Sequence, residues 1–62
     1  MDTPVKEIIY AIWSPINHEY LFKTNHLKFA QMLYKQHSGV AKLELWKIIT
    51  TANDNVEYVK LS

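Results

Sequence analysis

The sequence predicts a small two-layer α+β domain, residues 1–62, in which one antiparallel sheet with the element order ββαββ carries a single helix packed on one face. Segments rich in β-branched and aromatic residues lie toward both ends of the chain, and such segments favour strands. Between them lies one stretch of good helix formers with apolar residues at helical spacing. Clusters of Ser, Asn, Asp and Pro, which favour turns, separate these segments.

The first two strands are predicted over residues 5–13 and 19–23, and they form a hairpin. Pro15 cannot donate a hydrogen bond to a β-ladder, so a loop of about five residues, a usual hairpin length, connects the two strands. The first strand is apolar at every position from Ile8 to Trp13. A strand of that kind is typically buried on both faces of its sheet.

The helix is predicted over residues 25–37, and a side-chain oxygen of Thr24 or Asn25 accepts a hydrogen bond from a free amide of its first turn. Its apolar arc holds Leu27, Phe29, Ala30, Leu33 and Tyr34, with Met32 at the edge, and its polar stripe holds Lys28, Gln31 and Lys35. Gly39, the only glycine, is predicted to end the helix in the left-handed conformation, with Val40 folded back onto the last turn.

The second hairpin is predicted to join a long strand over residues 40–51 to a final strand over residues 56–61. Residues 51–55 are rich in Thr, Asn and Asp and predict the turn between the two strands. The first half of the long strand alternates between apolar and polar residues, but the pattern slips after Leu45 and both faces become apolar. We therefore expect a β-bulge near Leu45 and Trp46.

The composition restricts the kinds of partner that the chain can bind. It has seven basic residues, all of them Lys, six acidic residues and a net charge of +1. Arg is the residue best suited to bidentate contacts with phosphate and guanine, so its absence argues against nucleic-acid binding as the main task. The absence of Cys excludes disulfides and thiolate metal sites.

Membrane and secretion signals do not occur in the sequence. No segment stays apolar over the roughly 18 residues that mark a membrane span. The first residues, Met-Asp-Thr-Pro-Val-Lys-Glu, lack the basic and apolar regions of a signal peptide. We therefore expect a cytoplasmic protein.

Residues suited to catalysis or metal binding do not form clusters in the sequence. His26 and His37 share one side of the helix, but their separation of eleven residues corresponds to roughly 16 Å at the helical rise. His18 and Glu19 are neighbours on an extended segment and point apart. No nucleophile elbow or phosphate-binding glycine loop occurs. The sequence predicts no enzyme activity, no cofactor and no bound metal.

The aromatic residues provide the main candidate site. Six of them lie on predicted strands: Tyr10, Trp13, Tyr20, Phe22, Trp46 and Tyr58. Large aromatic side chains are the usual anchors of protein interfaces, and loops often carry binding function. The predicted partner-binding residues are Trp13, Tyr20, Trp46 and Tyr58, together with Ile16 and His18 of the first loop. With Lys residues nearby, the same rings are also suited to stacking on single-stranded nucleic acid.

One helix covers one face of a sheet, so apolar residues on the other face need further cover. Twofold dimers are the commonest closed assembly, and we expect a homodimer formed through the helix-free face or an edge strand. The leading hypothesis is a non-catalytic regulator or inhibitor of a larger protein partner, because in size and composition the chain resembles small phage- and plasmid-encoded regulators. The alternatives are a single-stranded nucleic-acid-binding module and a small enzyme with a site between subunits.

Overall fold

A computed structural model describes residues 4–37, 39 and 42–62 of the chain. Over these residues the elements are β1 (Val5–Ser14), β2 (Glu19–Thr24), α1 (Leu27–His37), β3 (Glu44–Thr51) and β4 (Val56–Lys60). The strands form one sheet in the order β2-β1-β3-β4, and every neighbouring pair is antiparallel. The predicted α+β architecture is confirmed, because two hairpins join through β1 and β3 and α1 packs against the sheet.

The hydrophobic core lies between α1 and the centre of the sheet. Ile12 of β1 and Leu45 of β3 are cross-strand partners, and both are almost fully buried. Ala30 of α1 has no exposed surface and belongs to the same cluster, so the helix approaches the sheet closely at this point. Leu43 is the fourth buried member, and the partly buried side chains of Tyr10, Leu33 and Tyr34 pack against the cluster. Burying one Leu or Ile side chain contributes about 1.5–3 kcal/mol, so this small cluster supplies much of the apolar stabilisation.

Helix α1 begins at Leu27, two residues after the predicted start. The hydroxyl of Thr24 accepts a hydrogen bond from the amide of His26 at 3.2 Å. The first helical bond follows, from the amide of Ala30 to the carbonyl of His26 at 3.1 Å. Of the two predicted capping residues, it is therefore Thr24 that satisfies a free amide at this end of the helix.

Only part of the predicted apolar arc of α1 is covered. Ala30 faces the core, whereas Leu27, Phe29 and Met32 are 37%, 43% and 47% exposed. Phe29 contacts Phe22 of β2, with ring centroids 5.4 Å apart. The helix lies against β1, β2 and β3, and among the described residues it makes no contact with β4. One side of the sheet is thus covered across three strands and left open at the fourth.

The predicted end of the helix at Gly39 is wrong in its conformation. Gly39 is an exposed turn residue, but its φ does not lie in the left-handed region. Positive φ values occur instead at His18 (55°) and Asp54 (63°), in the two hairpin loops. Lys35 and His37 in the last turn place basic groups at the negative end of the helix dipole. The predicted contact of Val40 lies outside the described residues.

The structure corrects two predictions about β3. The strand begins at Glu44, so Lys42 and Leu43 precede it, and the predicted residues 40 and 41 lie outside the described ones. The bulge expected near Leu45 and Trp46 does not lie within β3, whose ladder with β1 is regular there, but an irregularity does occur opposite Leu45. The amides of Leu61 and Ser62 both donate to the carbonyl of Leu45, at 2.7 and 3.3 Å, so two residues after β4 oppose one residue of β3. Alternation simply continues, and the strand is apolar at successive positions because both faces of the sheet carry apolar side chains. Register shifts also occur in both ladders of β1: Leu21 of β2 is the extra residue opposite Ile12 and Trp13, and Lys6 of β1 is the extra residue between Val5 and Glu7.

Among the described residues, α1 is the helix to consider for a membrane span, and with 11 residues it is too short to cross a bilayer.

Candidate binding surface on the helix-free face of the sheet

The face of the sheet that points away from α1, here named the open face, follows from the strand registers. Side chains alternate between faces along a strand, and directly paired residues share a face. Because Ile12 and Leu45 belong to the helix side, Ala11 and its partner Trp46 lie on the opposite side. The open face holds Glu7, Ile9, Ala11 and Trp13 of β1; Glu44, Trp46, Ile48 and Thr50 of β3; Tyr20 and Lys23 of β2; and Val56, Tyr58 and Lys60 of β4.

Four aromatic side chains on the open face surround one depression of about 160 Å³, and we call this set the aromatic cluster. It consists of Trp13, Tyr20, Trp46 and Tyr58, one residue from each strand. Trp13 and Tyr20 pack edge to face, with ring centroids 4.7 Å apart and planes inclined by 63°. Tyr58 is 59% exposed and Tyr20 is 38% exposed. The cluster therefore presents large aromatic surfaces to solvent around a shallow hollow.

A bulge in the first hairpin puts Tyr20 on the open face. Ile12 pairs with Phe22, but Trp13 pairs with Tyr20, so Leu21 has no partner in the β1 ladder. In a regular strand, Tyr20 and Phe22 would share a face, because residues two apart point the same way. The extra residue sends Phe22 to the helix side and Tyr20 to the open side. Re-aiming a side chain in this way is a known use of β-bulges.

Polar contacts hold the rim of the aromatic cluster. The indole Nε1 of Trp46 donates a hydrogen bond to Oε1 of Glu44 at 2.9 Å. The other carboxylate oxygen of Glu44 lies 3.5 Å from the ammonium of Lys60. On the far side, the ammonium of Lys23 lies 4.7 Å from the centroid of the Tyr20 ring, which is a cation–π contact. The hydrogen bond to Glu44, which Lys60 in turn contacts, orients the indole of Trp46.

The charges on the open face balance. Lys23 and Lys60 are its basic residues, and Glu7 and Glu44 are its acidic ones. Each sign contributes two charges, and one Lys and one Glu are paired with each other. The face as a whole is therefore neutral, and it offers no track of positive charge to a phosphate backbone.

The first hairpin loop borders the cluster at Trp13. The ring of His18 lies 6.5 Å from the ring of Trp13 in an edge orientation. The loop is closed by a hydrogen bond from the amide of Asn17 to the hydroxyl of Ser14 at 3.3 Å. Ile16 is 70% exposed at the tip of this loop. The structure thus places His18 beside the cluster and leaves Ile16 projecting into solvent next to it.

The structure brings together the four strand residues predicted to bind a partner, although they are distant in the sequence. It separates two other aromatics from them, because Tyr10 and Phe22 lie on the helix side and cannot join a stacking platform on the open face. Sequence analysis missed the role of Glu44, which orients Trp46. The signal available for it was the spacing of two between these residues, which places their side chains on one face of a strand.

The described residues contain no group of three or more His, Asp or Glu side chains arranged to hold a metal ion. His26 and His37 lie at opposite ends of the helical region and are both exposed. Comparison with known proteins adds no further information on the site, since no family model, curated protein or solved structure matches the chain.

Proposed function

We propose that this chain is a non-catalytic cytoplasmic protein that regulates or inhibits a larger protein by holding it on the aromatic cluster. The observation that carries the proposal is the convergence of Trp13, Tyr20, Trp46 and Tyr58 around one depression on a neutral sheet face. Trp and Tyr are enriched among the residues that supply most of the binding energy in protein interfaces. A partner side chain that enters the depression would be desolvated by rings from all sides.

The cluster is prepared for binding before a partner arrives. Each rotamer-rich side chain that becomes immobile on association costs about 0.5–1.5 kcal/mol. Trp46 is already oriented by its hydrogen bond to Glu44, and Tyr20 is packed against Trp13. Binding of a partner therefore loses less side-chain conformational entropy on this surface than it would on a set of freely rotating aromatic side chains.

Single-stranded nucleic acid is the second candidate, and the contact between Lys23 and the Tyr20 ring favours it, since stacking platforms combine rings with basic groups. The neutral charge of the open face weighs against it. Lys60 is engaged with Glu44, so the face lacks the several uncompensated cations that phosphate contacts require.

The test of the proposal compares substitutions in the cluster with one of similar exposure elsewhere. Trp46→Ala and Tyr20→Ala remove anchors, whereas Met32→Ala removes a side chain that is 47% exposed on α1, away from the open face. Tagged protein is used to capture partners from lysate of the native host cell, and the affinity for the captured protein is then measured by calorimetry. We expect each cluster variant to weaken binding by roughly 30-fold or more, the effect typical of an interface anchor, with Met32→Ala unchanged.

Two results would contradict this function. One is equal loss of binding in Met32→Ala, which would place the interface elsewhere or indicate general unfolding; far-ultraviolet circular dichroism of each variant separates the two. The other is tight binding of a single-stranded oligothymidylate at physiological salt, with affinity falling steeply as salt rises and no protein captured. That result would replace the proposal with the nucleic-acid candidate.

A further inference from the structure

Strand β4 is poorly covered for a strand that carries several apolar side chains. All five of its residues are exposed, and among them Val56 is 46%, Tyr58 is 59% and Val59 is 41% exposed. Within the described residues, α1 does not reach this strand, and β3 is its only strand neighbour. The strand is therefore open on both faces and along one edge.

The outer edge of β4 has free backbone hydrogen-bonding groups at alternate residues. In an antiparallel pair, the residues that bond to the neighbouring strand alternate with residues whose amide and carbonyl point away. The amide of Leu61 donates to the carbonyl of Leu45 at 2.7 Å, and the amide of Thr51 donates to the carbonyl of Asn55 at 2.9 Å. Odd-numbered residues of this segment thus bond to β3. Val56, Tyr58 and Lys60 direct their backbone groups outward.

The opposite edge of the sheet, β2, differs from β4 in two respects that discourage pairing. Its ladder with β1 is interrupted by the bulge at Leu21, and bulges are a common protection of edge strands. Its aromatic side chains also have a packing neighbour on each face, Phe29 of α1 against Phe22 and Trp13 against Tyr20, although most residues of the strand are exposed. In contrast, the pairing of β4 is regular from Val56 to Lys60 and contains no Pro. Of the two edges, β4 is the one shaped to accept another strand.

We propose that β4 pairs with β4 of a second copy of this chain, antiparallel about a twofold axis at Tyr58. Such an axis makes Tyr58 face Tyr58 of the second copy, Val56 face Lys60, and Glu57 face Val59. Every pair then joins side chains of the same face, as a continuous sheet requires, and no like charges stand opposite each other. An axis at Glu57 would oppose two Glu directly. The axis at Tyr58 also uses the full strand, because Tyr58 is the middle residue of the five.

This pairing accounts for the composition of the edge and has a consequence for the open face. It gives β4 the second neighbour that it lacks and brings Val59 of each copy onto the aliphatic part of Glu57 of the other. The two open faces become one surface with the two aromatic clusters side by side. A twofold partner, or a partner with two similar sites, can then engage both clusters at once.

The test uses charge at Val59, which lies on the helix side of β4 and outside the aromatic cluster. Its cross-strand partner within the chain is Lys47. Val59→Glu gains an opposite charge inside its own chain, but it meets Glu57 of the second copy at both symmetry-related positions. Val59→Lys has the opposite effects, because it places a like charge beside Lys47 of its own chain and an opposite charge beside Glu57 of the second copy. The double substitution Glu57→Lys with Val59→Glu again places opposite charges across the dimer interface, with their positions exchanged. Loss of the dimer in Val59→Glu is therefore separated from loss of the fold.

Sedimentation equilibrium of the full chain measures the assembly, and we expect the unaltered protein to give twice the 7.3 kDa chain mass at micromolar concentration. From the size of cross-strand charge effects, counted twice by symmetry, Val59→Glu weakens the dimer by roughly 2- to 30-fold. Val59→Lys leaves the dimer affinity unchanged or raises it, and the double substitution Glu57→Lys with Val59→Glu restores the affinity that Val59→Glu alone lowers. A monomer at several hundred micromolar overturns the proposal, as does a dimer that is insensitive to all three variants.

Cysteine cross-linking provides a second measurement that does not depend on charge. The chain has no native Cys, so introduced thiols are the only ones present. Glu57 and Val59 of opposite copies form a non-hydrogen-bonded pair, whose Cα separation of about 4.5 Å suits a disulfide. Mild oxidation of mixed Glu57→Cys and Val59→Cys chains is expected to give mainly the mixed disulfide. Self-linked Val59→Cys chains as the main product would move the axis and contradict the proposed register.

Discussion

The two faces of the sheet are built from the same strands but serve different purposes. On the helix side, Ile12 and Leu45 are 2% and 3% exposed and pack with Ala30 into a closed cluster. On the open side, Trp46 and Ile48 of the same β3 strand are only half-buried, and their neighbour Tyr58 is 59% exposed. Adjacent residues of one strand therefore contribute to stability on one side and remain available to a partner on the other.

This difference shows how a 62-residue chain can keep an extensive apolar surface without a second layer on it. The open face is stabilised by contacts among its own side chains, such as the edge packing of Trp13 on Tyr20 and the bond from Trp46 to Glu44. Such contacts retain a ring in place without burying it. The face is therefore ordered but not covered, a combination that suits recognition better than it suits stability.

The largest expected effect compares Leu45→Ala with Ile48→Ala, two aliphatic truncations on opposite faces of β3. Leu45 is almost fully buried, so its truncation should lower the free energy of unfolding by about 2–5 kcal/mol. Ile48 is half-buried on the open face, and its truncation should cost about 1 kcal/mol. Urea denaturation at low micromolar concentration measures both.

Because a chain of this length has a total stability of only about 3–9 kcal/mol, Leu45→Ala can unfold completely. Ile12→Val removes one methylene from the same cluster and should cost about 0.5–1.5 kcal/mol, which keeps the comparison measurable. Equal losses from Ile48→Ala and Leu45→Ala would mean that the open face is covered in the isolated protein, and the contrast between the faces would fail.

The sequence alone predicted the order of the elements and the division of β4 between two faces, because both follow from local patterns. Tyr58 and Val59 point to opposite sides as alternation requires, and the aromatic residues that form the cluster could be named from their type. Their convergence needed the strand order, which joins residues from all four strands through pairings that no local pattern specifies.

The pattern of apolar residues predicted the positions of the bulges only in part. The slip in the pattern after Leu45 predicted an irregularity in β3, and one occurs opposite Leu45, but the extra residue lies in the partner segment, where Leu61 and Ser62 both bond to Leu45. The register shift beside Trp13 lies in β2, where Tyr20, Leu21 and Phe22 are three consecutive apolar residues, and the pairing with β1 shows that Leu21 is the extra one. The extra residue of a bulge is identified only by the pairing with the neighbouring strand. The face on which Tyr20 lies could therefore be determined only from the structure.

A smaller effect is expected at the end of the helix that covers one face. A Cβ added at Gly39 meets no atom within 4 Å, and the φ of this residue is not left-handed. Gly39→Ala should therefore stabilise the chain by about 0.4–1 kcal/mol, by restricting the unfolded state. The matched opposite is Ala30→Gly, which should cost at least about 1 kcal/mol, since Ala30 is buried inside α1. A destabilising Gly39→Ala, measured by thermal unfolding, would instead restore the left-handed helix end predicted from the sequence.

The smallest expected change in stability concerns His18, where the backbone and the open face meet. With φ of 55°, this residue occupies a conformation that costs about 1 kcal/mol for side chains with a Cβ and nothing for glycine. His18→Gly removes that strain, but it also removes the edge contact with Trp13 and raises the conformational entropy of the unfolded chain. Because these effects oppose each other, the free energy of unfolding should stay within about 0.5 kcal/mol of that of the original protein. His18→Ala loses the same ring and keeps the strain, so it should be the less stable of the two. If the imidazole touches the partner, both variants weaken partner binding equally despite their different stabilities. Calorimetric titration alongside urea denaturation measures the two quantities, and unchanged affinity in both variants would remove His18 from the binding surface and leave its conformation as a feature of the turn alone.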